Sequence, residues 1–144
     1  MLTLKEIILV KLVAGCINDS DSREIINPTQ DEICEEFIRK RTSNLDIPLT
    51  LQEDIVALIK PILSEVFNFI HDHDGIFTEE HYCSFKFCYY ADGTVDRVKT
   101  ADLLIHSEWL DAETRFVLAC QYWSSWDMSL LYSTIYTNLR GSKF

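Results

Sequence analysis

Apolar positions recur at helical spacing along most of the chain. Leu51, Ile55, Leu58, Ile59, Ile62, Leu63, Val66, Phe69 and Ile70 predict one long helix that starts after Pro48. Pro61 falls inside this run and removes a backbone donor, which predicts a kink or a second segment there. The stretch from Leu4 to about Ile17 is apolar on most sides. That pattern predicts a helix central to the core, ended by Gly15 and the polar residues 18–22. A helix from about Gln30 to Arg41 carries Ile33, Phe37 and Ile38 on one face, with Cys34 beside them. A short helical turn is expected between Arg23 and Ile26, before Asn27-Pro28 breaks the chain.

Three of these segments share a start signal. Thr3 to Glu6, Thr29 to Glu32 and Thr50 to Glu53 all read T-x-x-E. At that spacing the Thr oxygen accepts from the amide three residues on, and the Glu side chain reaches back to the Thr amide.

The pattern changes after Gly75. Tyr82 to Tyr90 partly alternates and is rich in aromatics, which predicts a short strand or extended segment with no evident partner. Ala91-Asp92-Gly93 turns the chain. Thr94 is the expected cap of a helix bearing Val98, Ala101, Leu104 and Ile105. Asp111 is the expected cap of the next, where Ala112, Phe116, Ala119 and Trp123 share a face. Residues 124–127 interrupt the pattern before a last helical segment from Met128 to Leu139. No stretch repeats at a fixed period. The expected fold is all-α. A single domain over 1–144 forms a helical bundle or irregular helical array, with a short aromatic extended segment near 82–90.

Composition fits that expectation. With 144 residues, one core can form without staples, and four glycines and three prolines leave little linker. Against 13 basic side chains stand 23 acidic ones, a net charge of -10. Such a surface repels phosphate backbones and anionic membranes, so neither nucleic acid nor membrane is an expected partner. Five scattered cysteines suit a reduced, cytoplasmic protein better than a disulfide framework. Val13-Ala14-Gly15-Cys16 imitates a lipobox, but Lys11 breaks the apolar run and Glu6 offsets Lys5. The basic cluster Arg39-Lys40-Arg41 is read as charge favouring a helix C-terminus.

The richest candidate chemistry lies between residues 70 and 83, I-H-D-H-D-G-I-F-T-E-E-H-Y-C. Placed as a calcium loop with Gly75 sixth, it puts Asp72 and Asp74 third and fifth. Ile70 and His81 then occupy the first and twelfth positions, which calcium needs as oxygen ligands. Zinc is the softer alternative, with His71, His73, His81 and Cys83 as ligands. No phosphate-cradling glycine loop and no G-x-S-x-G elbow is present, and Cys120 sits on an apolar helix face, so the reading leans away from an enzyme. The second candidate is aromatic. Tyr122, Trp123, Trp126, Tyr132 and Tyr136 form a cluster in which Tyr122, Trp123 and Trp126 cover too broad an arc to face inward together. Helical spacing assigns Trp123 to the core, which leaves Tyr122, Trp126, Tyr132 and Tyr136 as an expected interaction surface.

Thr94-Val95-Asp96-Arg97, Lys99-Thr100-Ala101, Leu103-Leu104-Ile105, Leu110-Asp111, Arg115-Phe116, Leu118-Ala119-Cys120 and Tyr122 resemble a motif of uncharacterised helical proteins expanded in spiders. The resemblance implies a helical fold and a eukaryotic source, and brings no activity or site residue. Asp96, Arg97, Asp111 and Arg115 are expected to pair and lock the two helices of this block. The function expected from the residues is protein–protein interaction, with a protein partner or self-association. The alternative is a zinc-binding protein or metal-dependent enzyme that uses the 71–83 stretch.

Overall fold

A computed structural model of the chain describes residues 1–19 and 31–142. The expected turn at 23–26 and the Thr29 cap lie outside the described residues, as do the side chains of Ile33, Cys34 and Ile38. Seven helices form the described part: α1 (Leu4–Asn18), α2 (Asp31–Ser43), α3 (Leu49–Asp72), α4 (Glu79–Tyr82), α5 (Arg97–Ile105), α6 (Ala112–Gln121) and α7 (Ser125–Gly141). No strand occurs among the described residues, and none of their helices is long and apolar enough to cross a membrane. The architecture is an all-α array.

Helix α3 is the axis of the core. Its residues Ile55, Ile59, Ile62, Val66 and Phe69 are buried at near three- and four-residue spacing. Pro61 does not divide it; the helix runs through as one 24-residue element with Pro61 on its solvent side. Helix α1 packs on α3 through Leu9, Val10, Val13 and Ile17. The Thr3 capping box forms as expected: Glu6 N–H donates to Thr3 Oγ1 at 3.2 Å, and Thr3 N–H to Glu6 Oε2 at 2.7 Å. Burial of α1 is one-sided, however. Leu4, Ile8 and Leu12 stay exposed, so the helix covers one flank of the core and is not central to it.

The Thr50 box does not form. Helix α3 starts at Leu49 after Pro48, so Thr50 already lies inside the helix, and Glu53 turns to Arg39 of α2 at 2.6 Å. Arg41 of the same basic cluster pairs with Asp19. These two arginines therefore tie α2 to α3 and to the end of α1, beyond favouring their own helix dipole.

The aromatic segment is extended but forms no ladder. Phe85 and Phe87 are buried on its inner side and stack edge-on against Phe77 and Phe69 at 4.6 and 5.4 Å. Its backbone finds substitute partners. Asn18 takes both polar groups of Phe87, and Cys88 N–H donates to Thr100 Oγ1 at 2.9 Å. An isolated antiparallel bridge joins Tyr89 and Val95 around the turn at Gly93.

Helix α5 is capped by Asp96, not Thr94. Asp96 accepts from Lys99 N–H at 3.0 Å, while Thr94 is held back in the turn by Asp92. Asp111 caps α6 as expected, accepting from Thr114 N–H at 2.9 Å. The four charges expected to lock α5 to α6 do not pair with one another. Arg97 reaches Asp72 of α3 at 2.6 Å, and Arg115 donates to the Ile105 carbonyl at 2.6 Å. Asp96 and Asp111 are occupied as caps, accepting from Lys99 N–H and Thr114 N–H.

Candidate functional site

The residues of the 71–83 stretch go to different places. His71 is exposed at the end of α3. His73 caps that helix and is buried, at 2% exposure. Its Nδ1–H donates to the Phe69 carbonyl at 2.6 Å, since a carbonyl can only accept. Nε2 is then the acceptor and takes the Tyr122 O–H at 2.7 Å. Its ring is stacked on Phe69 at 4.0 Å and lies parallel to Tyr122. Burial pushes the His73 pKa down, partly opposed by the Phe69 carbonyl, so the ring is held neutral. Nδ1 anchors the ring to its own helix, and Nε2 fastens the end of α3 to the end of α6.

His81 sits in α4, where its Nδ1 accepts from Thr78 N–H at 3.1 Å. Cys83 is exposed just after that helix. The structure does not bring His71, His73, His81 and Cys83 to one point. Among the described residues, one group of three candidate metal ligands converges, and it consists of Asp102, His106 and Asp127.

That group is already satisfied by its own hydrogen bonds. His106 caps α5, and its Nδ1 lies 2.8 Å from the Asp102 carbonyl. Its Nε2 lies 3.0 Å from Asp127 Oδ1, a buried carboxylate in the first turn of α7 that also accepts from Ser124 Oγ. Both ring nitrogens face oxygen acceptors, which favours the doubly protonated imidazolium. The Asp102 carbonyl foremost, with the Asp127 and Asp102 carboxylates, raises the His106 pKa against partial desolvation. Chemically this is a hydrogen-bonded clasp between α5 and α7 that favours the protonated ring.

The aromatic residues separate into two sets. Tyr122 turns inward to His73 and is half-buried. Trp126, Tyr132 and Tyr136 are exposed on α7, and Leu130 and Leu139 join them. The strongest member is one the helical spacing misplaces. Trp123 was expected on the inner face with Ala112, Phe116 and Ala119, yet it is 89% exposed with φ +57°.

The cause is the way α6 ends. Ser124 N–H donates to the Ala119 carbonyl at 3.0 Å, and Trp123 N–H to the Cys120 carbonyl at 3.3 Å. This pair of bonds is the Schellman ending, which places Trp123 in the left-handed conformation. Glycine is the usual residue there, and its absence from the sequence hid the ending. A tryptophan in this conformation contributes strain and almost no burial to the fold.

One apolar groove lies apart from this surface. Leu4, Ile8, Leu12, Ile47, Leu51 and Ile55 line a space of about 430 Å³ between α1 and the start of α3. The thiols of Cys16, Cys83, Cys88 and Cys120 are free, and burial pushes that of Cys16 up, away from the reactive thiolate.

No protein-family model matches the chain, and neither a curated protein nor a solved structure matches it.

Proposed function

We propose that the protein is a protein–protein interaction module that binds through the α6–α7 turn and the outer face of α7. The observation that carries this reading is the pair Trp123 and Trp126, 89% and 80% exposed. One of them is kept in a backbone conformation that disfavours it. Large exposed aromatic residues are common anchors of protein interfaces, and strain without compensating burial points to a use outside the fold. The chain's net charge of -10 repels nucleic acid and anionic lipid, which supports a protein as the partner. Free thiols support action in the reducing cytoplasm.

Crosslinking followed by pull-down tests the reading. The wild-type chain is expected to yield a discrete crosslinked species. Trp123→Ala with Trp126→Ala is expected to abolish it while the helical circular dichroism stays unchanged. A wild-type chain that crosslinks to nothing, or a double variant that crosslinks equally well, refutes it.

A further inference from the structure

We propose that the outer face of α7 pairs two copies of this chain, antiparallel about a two-fold axis near Ser133. The inference rests on α7 being a binding surface and names its partner. Four observations carry it.

The first is charge. Two copies each at -10 repel one another, so they can meet only where carboxylates are absent. Helix α7 carries two charged side chains, Asp127 and Arg140, and Asp127 is buried. Its outer face therefore holds no exposed carboxylate. A face whose exposed charge is the Arg140 cation also gives a basic partner nothing to be steered by.

The second is area. The exposed parts of Trp126, Leu130, Tyr132, Tyr136 and Leu139 amount to on the order of 600 Å², taking aromatic side chains at roughly 150–250 Å². That is below the roughly 800 Å² per partner of a standard interface and in the range of a weak one.

The third is polarity. Ser129, Ser133 and Thr137 lie four residues apart along the middle of the face. Each hydroxyl donates to the carbonyl four residues back, at 3.1, 3.1 and 2.8 Å. These donors are spent within the helix, so a second copy can cover them without leaving a proton unpaired.

The fourth is self-complementarity. A two-fold interface brings the same patch to itself. Reversal about Ser133 sets residue 126 opposite 140, 130 opposite 136, and 129 opposite 137. Trp126 of each copy then meets Arg140 of the other, a cation against an aromatic face, and Leu130 meets Tyr136. Ser129, Ser133 and Thr137 along the middle are small and allow a close approach of the axes.

Sedimentation velocity of the purified chain tests the proposal. The expected species at about 100 µM is a dimer of the 16.8 kDa chain. Thr137→Glu, at an exposed position, is expected to weaken it at least about tenfold with the helical spectrum intact. Adding Ser129→Lys to Thr137→Glu is expected to restore the dimer, because lysine and glutamate then face each other across the axis. In a parallel pair the same change sets like charges together. A monomeric wild type, a dimer indifferent to Thr137→Glu, or no recovery in the double variant each overturns the proposal. If the wild type is monomeric but still crosslinks to another protein in a Trp123- and Trp126-dependent way, the binding reading stands and self-pairing alone falls. If it is monomeric and crosslinks to nothing, both fall. A monomer that binds neutral phosphatidylcholine vesicles through Trp126 makes the face a lipid contact and likewise overturns self-pairing.

Discussion

The side-chain amide of Asn18 holds both backbone polar groups of Phe87, a residue 69 positions away. Asn18 Nδ2–H donates to the Phe87 carbonyl at 2.9 Å, and Phe87 N–H donates to Asn18 Oδ1 at 2.9 Å. One side chain stands in for the neighbouring strand that this extended segment lacks. Asn18→Ala leaves a partly buried donor and acceptor without this partner, so it is expected to cost about 2 kcal/mol. Asn18→Asp keeps the acceptor and loses the donor, and is expected to recover part of the loss. Urea unfolding of the three proteins checks this. Equal stability of Asn18→Ala and wild type would show that the amide bridge contributes nothing.

Two glycines separate conformational strain from crowding. Gly75 and Gly93 have φ +84° and +91°, where a side chain is disfavoured. A Cβ on Gly75 meets nothing within 4 Å, while one on Gly93 lies 3.3 Å from Ile62 Cγ1. Gly75→Ala is expected to cost roughly 1 kcal/mol from the backbone alone. Gly93→Ala is expected to cost more, because Ile62 is buried in the core and has little room to give. The ordering is the prediction, and chemical denaturation midpoints read it directly.

Helix periodicity made α1 and α3 legible, and the Thr3 and Asp111 caps were legible from their spacing. The alternation through Phe85 and Phe87 was legible as one buried side of an extended chain. What paired with it was not, because its partners are the side chains of Asn18 and Thr100, which no strand pattern announces. The His-Asp-His-Asp stretch read as ligand chemistry because histidine spacing is local information. His73 is in fact bonded to Tyr122, 49 residues away. Trp123 was misplaced because the four-residue spacing runs on through a helix ending that lacks its usual glycine. Asp127 and His106, which meet at 3.0 Å, carried no sequence signal at all.

The two central histidines pull stability in opposite directions with pH. His106 has its pKa raised by the Asp102 carbonyl and the nearby carboxylates. Its contribution is fully present below the unfolded value of about 6.5 and is lost as pH rises through the folded value. His73 has its pKa lowered by burial, so it opposes folding as pH falls below about 6.5 toward its folded value. The difference in stability between wild type and His106→Gln is therefore expected to be larger near about pH 5.5 than near about pH 8. His106 is mostly exposed, so the difference is modest. Thermal midpoints of both proteins at the two pH values measure it. An equal difference at both would mean that His106 is not held protonated by the clasp.

Trp123 offers the sharpest division between fold and function. Its left-handed backbone suits glycine, and its indole is almost wholly exposed. Trp123→Gly removes the strain of a side chain in that region and forfeits little burial. Glycine's greater freedom in the unfolded chain offsets part of the gain. The variant is expected to be as stable as wild type or more stable, by up to about 1 kcal/mol. Trp123→Ala keeps a Cβ in the same conformation and is expected to gain nothing. If the indole is a binding anchor, both variants weaken association by similar factors while their stabilities differ. Unfolding free energies paired with crosslinking yields separate the two effects. A Trp123→Gly chain clearly less stable than wild type would show that the indole serves the fold after all.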